Sequence, residues 1–185
     1  MRVAATVAAD DRGVSVLRPV GGVPMLVRAV RCVLDAGVAT CVVVDVCAPA
    51  DEVLRACAGL PMRLRHAVGA HTGQRTTGAD GSLRLVHDAR RPLTPPSLVT
   101  AVVEAVRGGQ DAAVPALPLT DTVKLVDDAG FVRGTPDREG LRVVQSPWVG
   151  RAGIDMAAVA HLVPGDPRAF AVRTAWELEL AELLL

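Results

Sequence analysis

Leu83-Arg-Leu-Val-His-Asp-Ala-Arg-Arg-Pro92 is the stretch around which we expect the fold to be organised. It opens on a short, mostly apolar β run, and the closing proline ends the structure that follows. One acid, Asp88, and two guanidinium groups, Arg90 and Arg91, lie between them. In an open α/β sheet, ligands bind just beyond the carboxyl ends of the strands. The segment therefore predicts a strand whose end carries charged side chains where a ligand would bind.

These charged side chains suit a phosphorylated ligand. A carboxylate at a strand end can hold a divalent metal ion, and a neighbouring arginine can bind a phosphate through two parallel hydrogen bonds. The alternative interpretation is an ordinary strand end with a surface Asp–Arg ion pair. The segment alone leaves both interpretations open.

Strands and helices alternate along the rest of the chain. Runs of β-branched residues predict strands, and apolar residues at helical spacing predict helices. The other predicted strands are Val3–Ala9, Cys41–Val46, Arg63–Val68, Ala112–Leu119 and Arg142–Gln145. The predicted helices follow Pro24 as far as Gly37, cover Pro49–Ala58, run from Pro95 to Arg107 and begin again at Thr174. This order predicts an α/β fold with a doubly wound, mostly parallel sheet, in a single domain over residues 1–185.

One segment departs from this alternation. Thr122–Val126 and Phe131–Arg133 flank the turn sequence Asp127-Asp128-Ala129-Gly130, a pattern that is typical of a β-hairpin. We expect a hairpin arm, about residues 121–138, to project from the sheet.

The last predicted helix begins with a capping signal. Thr174 and Glu177 have the spacing of a capping box, in which each side chain bonds the other residue's backbone N–H. Helical spacing predicts that this helix buries Leu178, Ala181 and Leu184.

Composition excludes several classes of function. Formal net charge is zero, with 20 basic and 20 acidic residues, and no basic block argues for nucleic acid. No apolar run approaches the ~20 residues that a membrane helix needs, and the N-terminus lacks the pattern of a signal peptide. We expect a soluble, cytoplasmic protein with no nucleic-acid or membrane partner.

The four cysteines are Cys32, Cys41, Cys47 and Cys57. They form no CxxC pair and lie in or beside apolar segments, so they are expected to be buried free thiols rather than a metal site.

Four short motifs follow one another in a specific order. They are His87-Asp88-Ala89-Arg90-Arg91-Pro92, Asp121-Thr122-Val123-Lys124, Gly134-Thr135-Pro136-Asp137-Arg138 and Gln145-Ser146-Pro147. The sequence resembles the 2-C-methyl-D-erythritol 4-phosphate cytidylyltransferases of the non-mevalonate isoprenoid pathway, whose patterns are H-D-A-x-R-P, D-T-[IV]-K, T-x-x-R and Q-T-P-Q. The resemblance implies a Rossmann-like nucleotidyltransferase fold. It also implies transfer of CMP from CTP to a sugar-alcohol phosphate.

The resemblance assigns roles to the acceptor side of the site. Asp88 matches the family's catalytic, metal-binding acid, which implies Mg²⁺ as cofactor, and Arg91 matches its substrate-side arginine. The remaining substrate-binding positions are Asp121, Thr122, Thr135 and Arg173, and Arg138 is a further catalytic candidate. In the family, the arginine at Arg138 reaches the substrate phosphate of a neighbouring subunit, which implies a homodimer joined through the arm.

The nucleotide side departs from the family pattern. The family begins with A-A-G-x-G-x-R and then P-K, whereas Ala8 and Ala9 are followed here by Asp10, Asp11 and Arg12, with no lysine after them. Arg12 is the candidate for the phosphate-contacting arginine and is therefore a catalytic candidate. The nucleotide-binding candidates are Ala8, Ala9, Arg75, Gln145 and Ser146. The family's late lysine falls on Ala171, and Arg173 would share its side of a strand.

Three hypotheses follow. The chain is a cytidylyltransferase in which arginines replace lysines, or a catalytically degenerate homologue that acts as a binding or regulatory partner, or a protein that takes a different phosphorylated ligand. Whether the chain is an enzyme is left open by the sequence, because the missing glycines would contribute backbone N–H groups to a triphosphate.

Overall fold

A computed structural model describes residues 1–9, 13–46, 49–66, 82–154 and 159–185. The predictions made for Asp10, Asp11, Arg12, Cys47 and Arg75 therefore lie outside the described residues.

Strands and helices alternate in the order that the sequence predicts. The strands are β1 (Val3–Ala9), β2 (Pro19–Val20), β3 (Val23–Pro24), β4 (Val42–Val46), β5 (Met62–His66), β6 (Leu83–Asp88), β7 (Ala112–Pro118), β8 (Leu125–Val126), β9 (Val132–Gly134), β10 (Arg142–Val144), β11 (Trp148–Arg151) and β12 (Ala160–Pro164). The helices are α1 (Met25–Asp35), α2 (Ala50–Ala56), α3 (Pro96–Arg107) and α4 (Ala175–Leu183), with a 3-10 turn at Pro167–Ala169 before α4.

The central sheet is mixed and mostly parallel. Strands β5, β4, β1 and β6 are parallel neighbours in that order, and β11 lies antiparallel between β6 and β7. Strand β7 pairs in parallel with β12 on one edge. Its other edge is shared by β11 near the start of the strand and by β10 near the end, both antiparallel. The predicted α/β class with a mostly parallel sheet is confirmed.

One face of this sheet forms the main core. Val7 is in register with Val44 of β4 and His87 of β6, so all three side chains point to the same face, and all three are buried. Helices α1 and α3 contact each other and join the same buried cluster. The opposite face, which carries Thr6 and Asp88, is only partly buried.

The apolar pattern of each helix explains its position. Pro24 precedes the first residue of α1, and Gly37, with φ +68°, follows its end. Two prolines introduce α3, which buries five apolar side chains: Leu98, Val99, Val102, Val103 and Val106. The predicted end of α3 at Arg107 is confirmed.

The last helix closes a smaller apolar cluster. The capping box of Thr174 and Glu177 is present, as predicted. Ala181 packs with Val20, Met25 and Val172, and the backbone N–H of Gly21 donates to Glu182 at 2.8 Å. The predicted burial of Leu184 is wrong, because this residue follows the end of the helix and remains 49% exposed.

The arm forms at the predicted place with shorter strands. β8 and β9 pair antiparallel around the turn, where Asp127 accepts hydrogen bonds from the backbone N–H groups of Ala129 and Phe131. The arm exposes four large apolar side chains: Leu125, Val126, Phe131 and Val132.

The cysteine prediction needs one correction. Cys32 and Cys57 are buried free thiols, but Cys41 is exposed because β4 begins only at the residue after it. Among the described residues, no helix is both long and apolar enough to cross a membrane.

Candidate functional site

The carboxyl ends of three parallel strands bring two acids close together. Ala8 of β1 is in register with Asp45 of β4 on one side and with Asp88 of β6 on the other. In-register residues of a parallel sheet share a face. A single small side chain therefore separates two carboxylates at the edge of the sheet where α/β folds bind ligands.

The carboxylate of Asp88 is held by Arg90. Oδ1 of Asp88 accepts from the Arg90 backbone N–H at 2.9 Å and from its Nε at 3.2 Å, and Oδ2 accepts from Nη2 at 3.3 Å. The side chains are 23% and 15% exposed, respectively. The sequence left open whether this Asp–Arg pair would be an ordinary surface contact. The structure shows a partly buried ion pair at the strand end.

Arg91 lies deeper and points elsewhere. Its Nη1 donates to the carbonyl of Ala169, its Nη2 donates to the carbonyl of Val144 at 3.4 Å, and its Nε is a buried donor without a partner among the described residues. Burial lowers the pKa of the Arg91 guanidinium, Asp88 raises it, and the positive charges of Arg173 and Arg90 lower it further. A buried guanidinium with an unsatisfied N–H group would gain from binding an anion.

Arg173 reaches this region from the end of the chain. The N–H of Val172 donates to the Arg90 carbonyl at 2.7 Å, which places Arg173 beside the Arg90–Arg91 turn. The side chain of Arg173 is exposed, and its backbone N–H donates to Glu177 at 2.8 Å. Arg90 and Arg91 thus lie next to Asp88, and Arg173 is near enough to Arg91 to lower the pKa of its guanidinium.

Ser146, in the connection between β10 and β11, is hydrogen-bonded to the end of β6. Its Oγ accepts from the Asp88 backbone N–H at 2.8 Å and lies 2.7 Å from Nδ1 of His87. His87 is fully buried, and desolvation lowers its pKa to about 4, so the imidazole is neutral. The peptide between Ser146 and Pro147 is cis.

Gln145 forms a second link from the same connection. Its Nε2 donates to the Asp166 carbonyl at 2.8 Å, and its Oε1 accepts from the Asp166 N–H at 3.0 Å. The side chain is buried, and both ends of the amide are used within the protein. The nucleotide-binding roles of Gln145 and Ser146 stay predictions.

The remaining predicted residues lie in two other places. Ala8 is half-buried with its carbonyl accepting from Ala89 N–H at 3.0 Å, while Ala9 is buried. The arm residues Asp121, Thr122, Thr135 and Arg138 are exposed.

Two hydrogen bonds close the base of the arm. Arg138 donates to the Thr120 carbonyl at 2.7 Å, and Lys124 donates to the Thr135 hydroxyl at 2.6 Å. The predicted substrate-side residues are therefore divided between the strand-end cluster and the arm.

Comparison with known proteins shows the family of this chain. Residues 13–161 match the family model described as IspD: 2-C-methyl-D-erythritol 4-phosphate cytidylyltransferase. The chain belongs to this family.

Relatives in the IspD family resemble the chain over its whole length. The 2-C-methyl-D-erythritol 4-phosphate cytidylyltransferase of Nocardia farcinica is 42% identical, covering 99% of this chain and 94% of the relative. That of Saccharopolyspora erythraea is 39% identical over an alignment of 226 positions that covers all of both chains. Because this chain has 185 residues, it lacks segments that the second relative contains.

Solved structures agree on the fold. The crystal structure of the Thermus thermophilus enzyme of the same name superposes with a TM-score of 0.71 at 25% identity, covering 100% of this chain and 98% of that chain. The 4-diphosphocytidyl-2C-methyl-D-erythritol synthase of Anaerococcus prevotii superposes with a TM-score of 0.81 at 18% identity, covering 99% of this chain and 97% of that chain.

The donor set for the implied Mg²⁺ is incomplete in this member of the IspD family. Mg²⁺ is commonly bound through one or two carboxylates together with waters and substrate phosphates. The described residues contain no group of three His, Cys, Asp or Glu side chains that could hold a metal ion. The single candidate, Asp88, has both oxygens bonded to Arg90. As they stand, these residues do not fit a metal, and Mg²⁺ stays a prediction.

Two features of this site were not predicted from the sequence. Asp45 is buried and bonds Arg65 through both oxygens, at 2.6 and 2.7 Å. One charged residue in a strand otherwise made of valines was the available signal. His87 stood within the H-D-A-x-R-P motif, but nothing in the sequence indicated its partner Ser146, 59 residues away.

Proposed function

We propose that this chain transfers a cytidylyl group from CTP to 2-C-methyl-D-erythritol 4-phosphate. The observation that carries the proposal is the position of Asp88, Arg91 and Ser146 together at the carboxyl end of β6, in a chain of the IspD family. The substrates are inferred from the names of the relatives. The residues at the end of β6 carry the charges that such a reaction needs.

The reaction requires positioning and charge neutralisation. An oxygen of the acceptor phosphate forms a bond to the α-phosphorus of CTP. The bond from that phosphorus to the bridging oxygen breaks, and pyrophosphate leaves with the electron pair. Phosphoryl-type transfers of this kind gain most from cations placed where negative charge accumulates. Arg91 and Arg173 are placed to supply such charge beside Asp88.

The buried geometry supports a fixed role for Arg91. Two carbonyl groups orient its guanidinium, so little side-chain freedom remains to be lost on binding. Its unpartnered Nε gives it a donor that a phosphate oxygen would satisfy. We assign Arg91 to a phosphate group of the substrate or the nucleotide.

The arm is proposed to form the contact between the two subunits of a dimer. The apolar side chains of Leu125, Val126, Phe131 and Val132 are exposed in the single chain, and such a patch is typical of an interface. We propose a homodimer in which Thr135 and Arg138, at the base of the arm, approach the acceptor phosphate bound by the neighbouring subunit.

A direct assay tests the activity. The purified protein is incubated with millimolar CTP, 2-C-methyl-D-erythritol 4-phosphate and Mg²⁺, and both pyrophosphate and the cytidylylated product are quantified by mass spectrometry. We expect formation of both in equal amounts. Pyrophosphate released without the cytidylylated product would mean a different acceptor or simple hydrolysis.

Matched variants distinguish the activity of this protein from that of a contaminating enzyme. Arg91→Ala should lower kcat/KM by roughly 100-fold or more, the scale of losing one charge-stabilising donor. Arg107→Ala removes an exposed arginine that pairs with Glu104 on the surface of α3, and it should leave the rate unchanged. Equal activity in all three preparations, or none in the wild type, would contradict the proposal.

Nothing in the described residues favours the alternative of a catalytically degenerate partner or regulator. The segment that discriminates it from the enzyme, Asp10 to Pro19, is described only from Gly13 onwards. The activity assay is therefore also the test of that alternative.

A further inference from the structure

Arg90 is the residue whose placement the proposed function leaves unexplained. It occupies the variable position of the H-D-A-x-R-P motif, and its guanidinium engages both oxygens of the acid to which that motif assigns a metal. Asp88 accepts three N–H groups in all, one from the Arg90 backbone and two from its side chain.

The contact is held by the local backbone. Asp88 and Arg90 are two residues apart, and the N–H of Arg91 donates to the Asp88 carbonyl at 3.1 Å, which closes a tight turn between them. The Arg90 carbonyl is also held, by the N–H of Val172 at 2.7 Å. The guanidinium is thus tethered next to the carboxylate at a high effective concentration, while a metal ion must arrive from solution.

The surrounding charges also oppose a metal ion. Asp88 raises the pKa of the Arg91 guanidinium, and the positive charges of Arg173 and Arg90 lower it. The Arg90 and Asp88 side chains are only 15% and 23% exposed, so solvent screens these charges weakly. A divalent cation approaching Asp88 would meet the positive charges of Arg90 and Arg91 in a partly desolvated site.

We propose that Arg90 occupies the cation position of Asp88, so that a divalent metal binds this carboxylate only after the guanidinium has been displaced. The inference rests on the proposed function in one respect: the metal-binding role of Asp88 is taken from the family. Arg90 is in this view a positioning residue, which acts on metal binding through Asp88.

Metal binding without substrate tests the inference independently of activity. Mn²⁺ serves as the probe for Mg²⁺, and its free concentration is measured from the electron paramagnetic resonance signal of the hydrated ion. We expect the wild type to bind Mn²⁺ more weakly than millimolar. Arg90→Gln, which keeps the turn and most of the side-chain volume, should tighten binding at least tenfold, and Arg90→Ala should do the same.

Two controls locate the effect. The double variant Asp88→Asn with Arg90→Gln should lose the gain, because the freed carboxylate is then absent. Arg133→Gln breaks a comparable ion pair with Asp127 in the arm, and it should leave Mn²⁺ binding as in the wild type. Circular dichroism of each variant shows whether the fold is retained.

The outcomes decide the proposal without reference to catalysis. Tight Mn²⁺ binding by the wild type would overturn it, as would an unchanged affinity in both Arg90 variants. A gain that survives in the double variant would place the metal elsewhere and would also overturn it. An inactive protein whose Arg90 variants gain Mn²⁺ affinity through Asp88 would contradict the proposed function alone.

Discussion

Gln145 and Asp166 are joined by two hydrogen bonds between a side-chain amide and the backbone of Asp166, at 2.8 and 3.0 Å. The pair connects the segment after β10 to the loop before the 3-10 turn at Pro167–Ala169. The carbonyl of Ala169, at the end of that turn, accepts from Arg91. Gln145 therefore helps to fix the position of the Ala169 carbonyl, which in turn orients Arg91, the proposed phosphate-binding arginine.

Gln145→Ala should destabilise the fold and disturb Arg91. Two hydrogen bonds are lost and the backbone groups of Asp166 lose their partners, so we expect a loss of about 2 kcal/mol in the free energy of unfolding. Urea denaturation checks this value. Thr100→Ala, which removes one exposed hydrogen bond within α3, is the control and should change stability little. A stability equal to that of the wild type would show that these two hydrogen bonds contribute little, so that the Gln145 amide could bond another group instead.

The buried imidazole of His87 should make stability depend on pH. Its pKa is lowered to about 4 in the folded protein, chiefly by desolvation, from the ordinary value of 6.5. The unfolded chain therefore binds a proton that the folded chain excludes between these two values, and the free energy of unfolding should fall as pH drops from 6.5 towards 4. The contribution of His87 to the free energy of unfolding is about 3 kcal/mol. It is fully present above pH 6.5, the ordinary pKa of histidine, and is lost as the pH falls to about 4.

His87→Asn tests this dependence. Asparagine can place an amide nitrogen near the Ser146 hydroxyl but does not titrate, so the variant should be less stable at neutral pH and should show a flatter pH profile. His161→Asn removes an exposed imidazole and is the control. Parallel pH profiles for the wild type and His87→Asn would contradict the assignment.

The arm should determine the oligomeric state. We expect the wild type to be a dimer at micromolar concentration by light scattering and the deletion of Lys124 to Arg133 to be a monomer. Phe131→Asp, a milder change, should weaken the dimer because a charge replaces an exposed aromatic ring. Trp176→Asp makes the same exchange at an exposed site in α4 and should leave the dimer intact. A monomeric wild type would rule out the arm as an interface.

The acidic pair Asp10-Asp11 should weaken nucleotide binding. CTP carries about four negative charges, and at ~6 Å and an effective dielectric of about 20 each pair of like unit charges costs about 3 kcal/mol. We expect the wild type to bind CTP weakly, with a dissociation constant in the millimolar range, and Asp10→Gly with Asp11→Gly to bind it more tightly in calorimetric titration. The gain should shrink at high salt, because part of it is electrostatic.

Asp128→Gly changes an acid in the arm and is the control for this experiment. Tight, Mg²⁺-dependent CTP binding by the unmodified protein would show instead that Asp10 and Asp11 hold a metal.

Local patterns account for the elements that the sequence predicted well. The bounds of β1 and the end of α3 agree with prediction because an apolar run and apolar residues at helical spacing are local signals, which act within a few residues. Strands β11 and β12 were not predicted. β11 has only four residues, one of them glycine, and it is defined by pairing with β6 and β7, which lie far away in the chain.

The candidate site was likewise predicted where local patterns define it and missed where it depends on distant contacts. The motif containing Asp88 and Arg91 was found from its order along the chain. The contacts that orient these residues come from Ser146, Ala169 and Val172, at sequence separations over which no local pattern carries information. The ion pair of Asp88 with Arg90 was weighed at the outset, but its burial depends on the rest of the fold.

The close approach of Gly13 to Arg173 limits how this protein can be re-engineered. Gly13 has a φ of +89°, and a Cβ there would lie 2.7 Å from the Arg173 carbonyl oxygen. Any glycine-rich loop transplanted from a relative must therefore end on an unsubstituted glycine at this point. A graft that ignores this requirement would push the Arg173 backbone, and with it the start of α4, away from the new loop that its charge is meant to complement.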